Sequence, residues 1–167
     1  MSTDFENIHG DVLLVMVADP LVQYVAQRNT HWEDIRDSLT PTQRYFYAFY
    51  HADEVISHTG FLPFFYMGRG EVFDDLRQCL LHIQDKEMEN IVIRAVREIE
   101  EPKTWKIFTD LKDKLDENQF PAELHADDRI KSIFEPLHEL YKQRRPVTME
   151  RIEQLVRRHK AEFVKLR

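Results

Sequence analysis

A chain of 167 residues, 43% hydrophobic and 32% charged, is long enough to bury a core without a metal or a disulfide and short enough to form one domain, 1–167. Four glycines and seven prolines leave few turns that need a positive φ, and the single cysteine, Cys79, excludes an intramolecular disulfide framework. The net charge of −7 is uneven: residues 1–127 carry 24 acidic and 12 basic side chains, whereas residues 128–167 carry 6 and 11, so an acidic body that repels nucleic acid meets a basic C-terminal stretch.

Helix signals recur along the chain. Thr3 and Glu6 form a capping box, followed by Phe5, Ile8, Val12, Val15 and Met16 on one helical face. Asp19-Pro20 reads as a cap and first-turn proline opening a second short helix, and Thr30 with Glu33 opens another, with Trp32 and Ile35 inward. The strongest start is Thr40-Pro41-Thr42-Gln43, which predicts a helix to about His58 with Tyr45, Phe46, Phe49, Tyr50, Val55 and Ile56 largely inward, ended by Gly60. Phe61 to Tyr66 is read as a short buried helix, because a lone strand has nothing to pair with, and Gly68 and Gly70 form the turn after it. A helix with Val72, Leu76, Cys79, Leu80 and Ile83 follows. Asp85 then caps one carrying Met88, Ile91, Val92, Ala95, Val96 and Ile99. Pro102 starts a helix with Trp105, Phe108, Leu111 and Leu115, and Asp116 to Asp127 reads as the longest loop. Asp127 or Asp128 caps a helix with Ile130, Ile133, Phe134, Leu137, Leu140 and Tyr141 inward. Pro146 ends the connector after it, and Thr148 caps the last helix, with Met149, Ile152, Leu155, Val156, Phe163 and Leu166 as its stripe. No segment alternates with period two, so the fold class is all-α, a compact bundle of about eight to nine short helices.

The patterns that could carry chemistry are weak. His51 and His58 lie two helical turns apart, about 10 Å at 1.5 Å per residue, too far to share one ion. His125, Asp127 and Asp128 lack ligand spacing, and no metal or cofactor is expected. The neighbours Asp53-Glu54 and Glu100-Glu101 point about 100° apart on a helix and are read as solvated charges. Asp74-Asp75 suits the positive end of a helix dipole. Gly68-Arg69-Gly70 lacks the spacing of a phosphate loop, and Glu71, Asp74 and Asp75 would repel a phosphate. The basic residues Lys142, Arg144, Arg145, Arg151, Arg157, Arg158 and Lys160 are too few for a nucleic-acid-binding domain; they are read as complementing acidic groups of the same chain or of a second copy. Four aromatics in Phe61–Tyr66 cannot all face inward on one short helix. The first residues lack the basic region of a signal peptide, and the longest apolar run, Val12 to Ala18, is short of the ~20 residues of a membrane span, so a cytoplasmic location is expected.

Leu39-Thr40-Pro41-Thr42-Gln43-Arg44, the aromatic helix after it, and Gly60-Phe61-Leu62-Pro63-Phe64-Phe65-Tyr66 with Gly68 or Gly70 resemble the bacterial DNA-mimic protein nineteen family. Gly60, Phe61, Phe64 and Phe65 match its motif, with His58-Thr59, Pro63 and Met67 replacing polar positions of the pattern. The resemblance implies an all-helical fold, a homodimer, and a surface that imitates DNA and binds a transcriptional regulator in DNA's place.

The expected function is therefore an acidic protein-interaction module, able to occupy a DNA-binding protein's basic surface, with no direct nucleic acid or membrane contact. Candidate contacts are Glu71, Asp74, Asp75, Glu98, Glu100, Glu101, Asp110, Asp113, Asp116 and Glu117. The alternatives are an enzyme built on His51, Asp53, Glu54 and His58, which requires a concave pocket there, and a self-associating structural domain without a small ligand.

Overall fold

The capping box at Thr40 forms as its residues dictate: the Thr40 hydroxyl accepts from the Gln43 N–H at 3.3 Å, and the Gln43 side chain accepts from the Thr40 N–H at 2.9 Å. The computed structural model describes residues 9–26, 32–66, 72–114 and 127–164. Among them are nine helices and no strand: α1 (Asp11–Ala26), α2 (Trp32–Arg36), α3 (Pro41–Thr59), α4 (Phe61–Tyr66), α5 (Phe73–His82), α6 (Lys86–Glu100), α7 (Pro102–Lys114), α8 (Asp128–Arg158) and α9 (Lys160–Val164). The Thr3–Glu6 and Thr30 starts, Gly68, Gly70 and the loop up to residue 126 lie outside the described residues.

Two helices organise the bundle. α3 packs against α1, α4, α5, α8 and α9, while α8 packs against α3, α4, α6, α7 and α9. α3 fills the centre with Phe46, Ala48, Phe49, Ala52 and Ile56, all buried. Gly60 ends α3 at φ 85°, a conformation that costs glycine little, so the chain turns at once into α4. Phe61 and Phe64 are buried and Phe65 and Tyr66 partly so; the Phe61 ring meets Tyr141 of α8 edge-on at 5.7 Å. Asp85 caps α6 by accepting from the Met88 N–H, and Asp127 caps α8. Cys79 is buried in the core.

Two expected breaks are absent, both at prolines. Asp19-Pro20 does not start a helix; α1 runs through it, because Leu13, Leu14, Val17, Ala18 and Leu21 form one buried stripe across the proline. Likewise there is no connector ending at Pro146, and Thr148 caps no helix. α8 continues for 31 residues through Pro136 and Pro146, roughly 46 Å at 1.5 Å per residue. Both of its prolines are exposed, whereas Ile130, Phe134, Leu137, Tyr141, Thr148, Ile152 and Leu155 keep one continuous face buried. Burial of that face outweighs the backbone hydrogen bonds the prolines remove.

The inward face of α1 also differs from the expected one. Val12, Val15, Met16 and Val22 are 61%, 45%, 45% and 37% exposed, because the stripe one position over takes the core contacts. Trp105, expected inward on α7, is 52% exposed, and Leu140 faces outward as well.

Candidate functional site

The sequence reading took Asp53 for a solvated charge and Asp75 for a helix-dipole residue and candidate contact; both are buried and bonded within the chain. Asp75 accepts from the Trp32 indole N–H at 3.0 Å, and the Arg36 guanidinium lies 3.5 Å away, so it ties α2 to α5 and leaves the candidate contact surface. Asp53 accepts three hydrogen bonds from Arg145 across both its oxygens, at 2.8–3.0 Å, and a fourth from the buried Tyr141 hydroxyl at 3.0 Å. The adjacent Arg144 holds one oxygen of Asp85 through its Nε and Nη2, at 2.9 and 2.8 Å, and Thr148 donates to the other at 2.8 Å. Successive arginines of α8 thus neutralise one buried carboxylate from α3 and one from the α5–α6 turn. This is the intramolecular role expected of the basic C-terminal stretch.

The remaining predicted contacts are dispersed. Asp74 is exposed on the first turn of α5, Glu98 is half-buried, Glu100 and Glu101 are exposed at the α6–α7 junction, and Asp110 and Asp113 are exposed on α7. An open groove of about 560 Å3, lined by Phe65, Phe73, Val96, Ile99, Glu100 and Trp105, lies at this junction. The face is not an acidic stripe, however, since residues 86–114 hold seven acidic and seven basic side chains. Glu71, Asp116 and Glu117 lie outside the described residues.

Uncompensated negative charge gathers elsewhere, on α1–α3. Residues 11–59 hold seven acidic side chains against three basic ones, and Arg36 and Arg44 are turned onto Asp75 and Asp37. Asp19, Asp34 and Glu54 are exposed and enter no ion pair among the described residues. Between α1, α3 and α8 opens a cleft of about 470 Å3 whose walls include Asp11, Val15, Tyr50, Glu54, His58 and Met149, with Asp53 and Arg145 at its base. Tyr50 reports the field there: burial pushes its phenol up, and the carboxylates of Glu54, Asp19 and Asp53 push it further.

The cleft holds three of the four residues named for catalysis, Asp53, Glu54 and His58; His51 instead stacks on Tyr47 at 5.3 Å. Their bonding is structural. Asp53 is saturated by Arg145 and Tyr141. The Nδ1 of His58 lies 2.9 Å from the Glu54 carbonyl, which can only accept, so that nitrogen carries the proton and cannot act as a base toward Ser57, 3.0 Å away. Among the described residues no group of three or more His, Cys, Asp or Glu side chains is placed to hold a metal ion, and no helix is long and apolar enough to cross a membrane.

Sequence reasoning missed Asp11, Asp19 and Tyr50 as neighbours and took Val12, Val15 and Met16 for core. The available signal was that α1 is apolar almost all round, with only Asp11, Asp19 and Gln23 strongly polar, so a second apolar face had to remain once one was buried.

Comparison with known proteins gives no match among curated proteins and none among solved structures. Residues 37–159, most of the chain and all of α3 to α8, match the family described as DMP19-like protein, with α1 and α2 preceding the matched span. The chain belongs to the DMP19-like family.

Proposed function

We propose that the protein is an acidic protein-interaction module that occupies the basic surface of a DNA-binding partner, such as a transcriptional regulator, in place of DNA. The observation that carries this reading is the excess of exposed, unpaired carboxylates on α1–α3, where the described arginines are already committed internally. A surface of this kind attracts a DNA-binding face for the reason DNA does: fixed negative charge draws Lys and Arg side chains, steers encounter, and loses strength as salt screens it. The cleft favours a macromolecular partner over a turnover substrate, because its ionisable side chains at the base are consumed in holding α3 to α8.

The test is capture on the immobilised chain from a cell extract at low salt. DNA-binding proteins should be retained, and both raised salt and excess duplex DNA should release them. Retained proteins indifferent to salt and to duplex DNA would overturn the reading.

A further inference from the structure

We infer that the exposed face of α1, together with the cleft beside it, seats a basic amphipathic helix of the partner protein; this rests on the reading of the molecule as an acidic interaction module. Val12, Val15, Met16 and Val22 recur at three-, one- and six-residue steps and form one exposed apolar stripe roughly 15 Å long. Contiguous apolar surface of this kind on a soluble helix marks a contact site. The stripe continues into the cleft, where Val15 and Met149 stand beside Tyr50.

Charge decides what covers it. α1 carries Asp11 and Asp19 and no lysine or arginine, and the opposing wall adds Glu54. The cations lining the cleft are already engaged, Arg145 with Asp53 and, at 3.7 Å, with Asp11, and Lys142 with Glu139, which leaves Asp19 and Glu54 as the free acidic margin. A second copy laid on the stripe would match apolar to apolar but set carboxylate against carboxylate. A helix with aliphatic side chains at three- and four-residue spacing, flanked by Lys or Arg, satisfies both the stripe and its acidic margins.

The probe is a labelled amphipathic peptide with leucines at i, i+3, i+4 and i+7 and lysines on the flanks. It is compared by fluorescence anisotropy with a scrambled isomer of equal charge. The full chain should bind the patterned peptide about tenfold more tightly than the isomer, the effect of burying about one aliphatic side chain fully or two or three in part. The Val12→Ser/Met16→Ser variant, altered only at exposed positions, should melt as the wild type does and lose that preference. Glu54→Gln with Asp19→Asn should weaken both peptides and flatten their salt dependence. Equal binding of the two peptides would overturn the helix seat while leaving the acidic module standing, whereas absence of binding to either at low salt would overturn both. Sedimentation as a dimer that Val12→Ser/Met16→Ser converts to monomer would show that a second copy covers the stripe, and would also overturn the inference.

Discussion

Replacing Asp85 by alanine should be among the most damaging single changes outside the apolar core. The carboxylate is fully buried and accepts three hydrogen bonds, from the Met88 N–H, the Arg144 Nε and the Thr148 hydroxyl, with the Arg144 Nη2 in ion-pair contact at 2.8 Å. Loss of the N-cap bond alone costs about 1 kcal/mol. Removing one partner of a buried ion pair strands the other, at about 3–5 kcal/mol. Arg144 keeps Glu87 at 2.6 Å, which places the second cost toward the lower end. The combined loss is about 4 kcal/mol, or roughly 10 °C in Tm for a chain of this size. Urea denaturation followed by circular dichroism measures it. Asp85→Asn, which keeps an acceptor, should lose about half as much, and adding Arg144→Met to Asp85→Ala should recover stability, because the stranded guanidinium is then gone. A loss under about 1 kcal/mol for Asp85→Ala, or no recovery in the double variant, would refute the assignment of this pair as the clamp between α6 and α8.

Gly60→Ala should cost about 1–2 kcal/mol, read from the urea midpoint, because φ is 85°, a conformation L side chains rarely adopt; the added Cβ itself would sit at ordinary contact distance, 3.5 Å, from the His138 ring. Thr40→Ala should lose about 1 kcal/mol in the same assay, since the hydroxyl both caps α3 and donates to Glu162 of α9. Acid should destabilise the fold through Glu153: burial alone raises its carboxyl, but bonds from the Gly10 N–H, Arg157 and His9 bring it down to about 2. A lowered folded-state value means stability that is present above the ordinary carboxylate range and lost as pH falls from about 4 towards 2. Glu153→Gln should therefore flatten the urea midpoint against pH over that window, and an unchanged slope would contradict the linkage.

Much of the fold was legible because its determinants are local. Thr40, Pro41 and Gln43 specify the start of α3 within one turn, Gly60 its end, and Asp85 the start of α6. The failures share one cause, which is that burial along a whole helix overrides a local breaker. Pro20 and Pro146 carry turn signals, yet the apolar stripes on either side are in phase and continue through them. The site was less legible. Acidic residues are easy to count, but which of them stay free depends on where the arginines reach, and the bonds from Arg145 to Asp53 and from Arg144 to Asp85 span 92 and 59 residues. Without those contacts Asp53 looks like any surface carboxylate. The two-faced character of α1 was present in its composition, but periodicity alone could not say which face the core would take.

The most direct measurement of the central claim is the salt dependence of affinity for a labelled oligolysine peptide, compared across three proteins. These are the wild type, a variant neutralised on α1–α3 (Asp19→Asn, Asp34→Asn, Glu54→Gln), and one neutralised at the α6–α7 junction (Glu98→Gln, Glu100→Gln, Glu101→Gln). The first variant should bind about tenfold more weakly at low salt with a shallower dependence, and the second should stay close to the wild type. The opposite ranking, or three indistinguishable curves, would contradict an acidic interaction face on α1–α3.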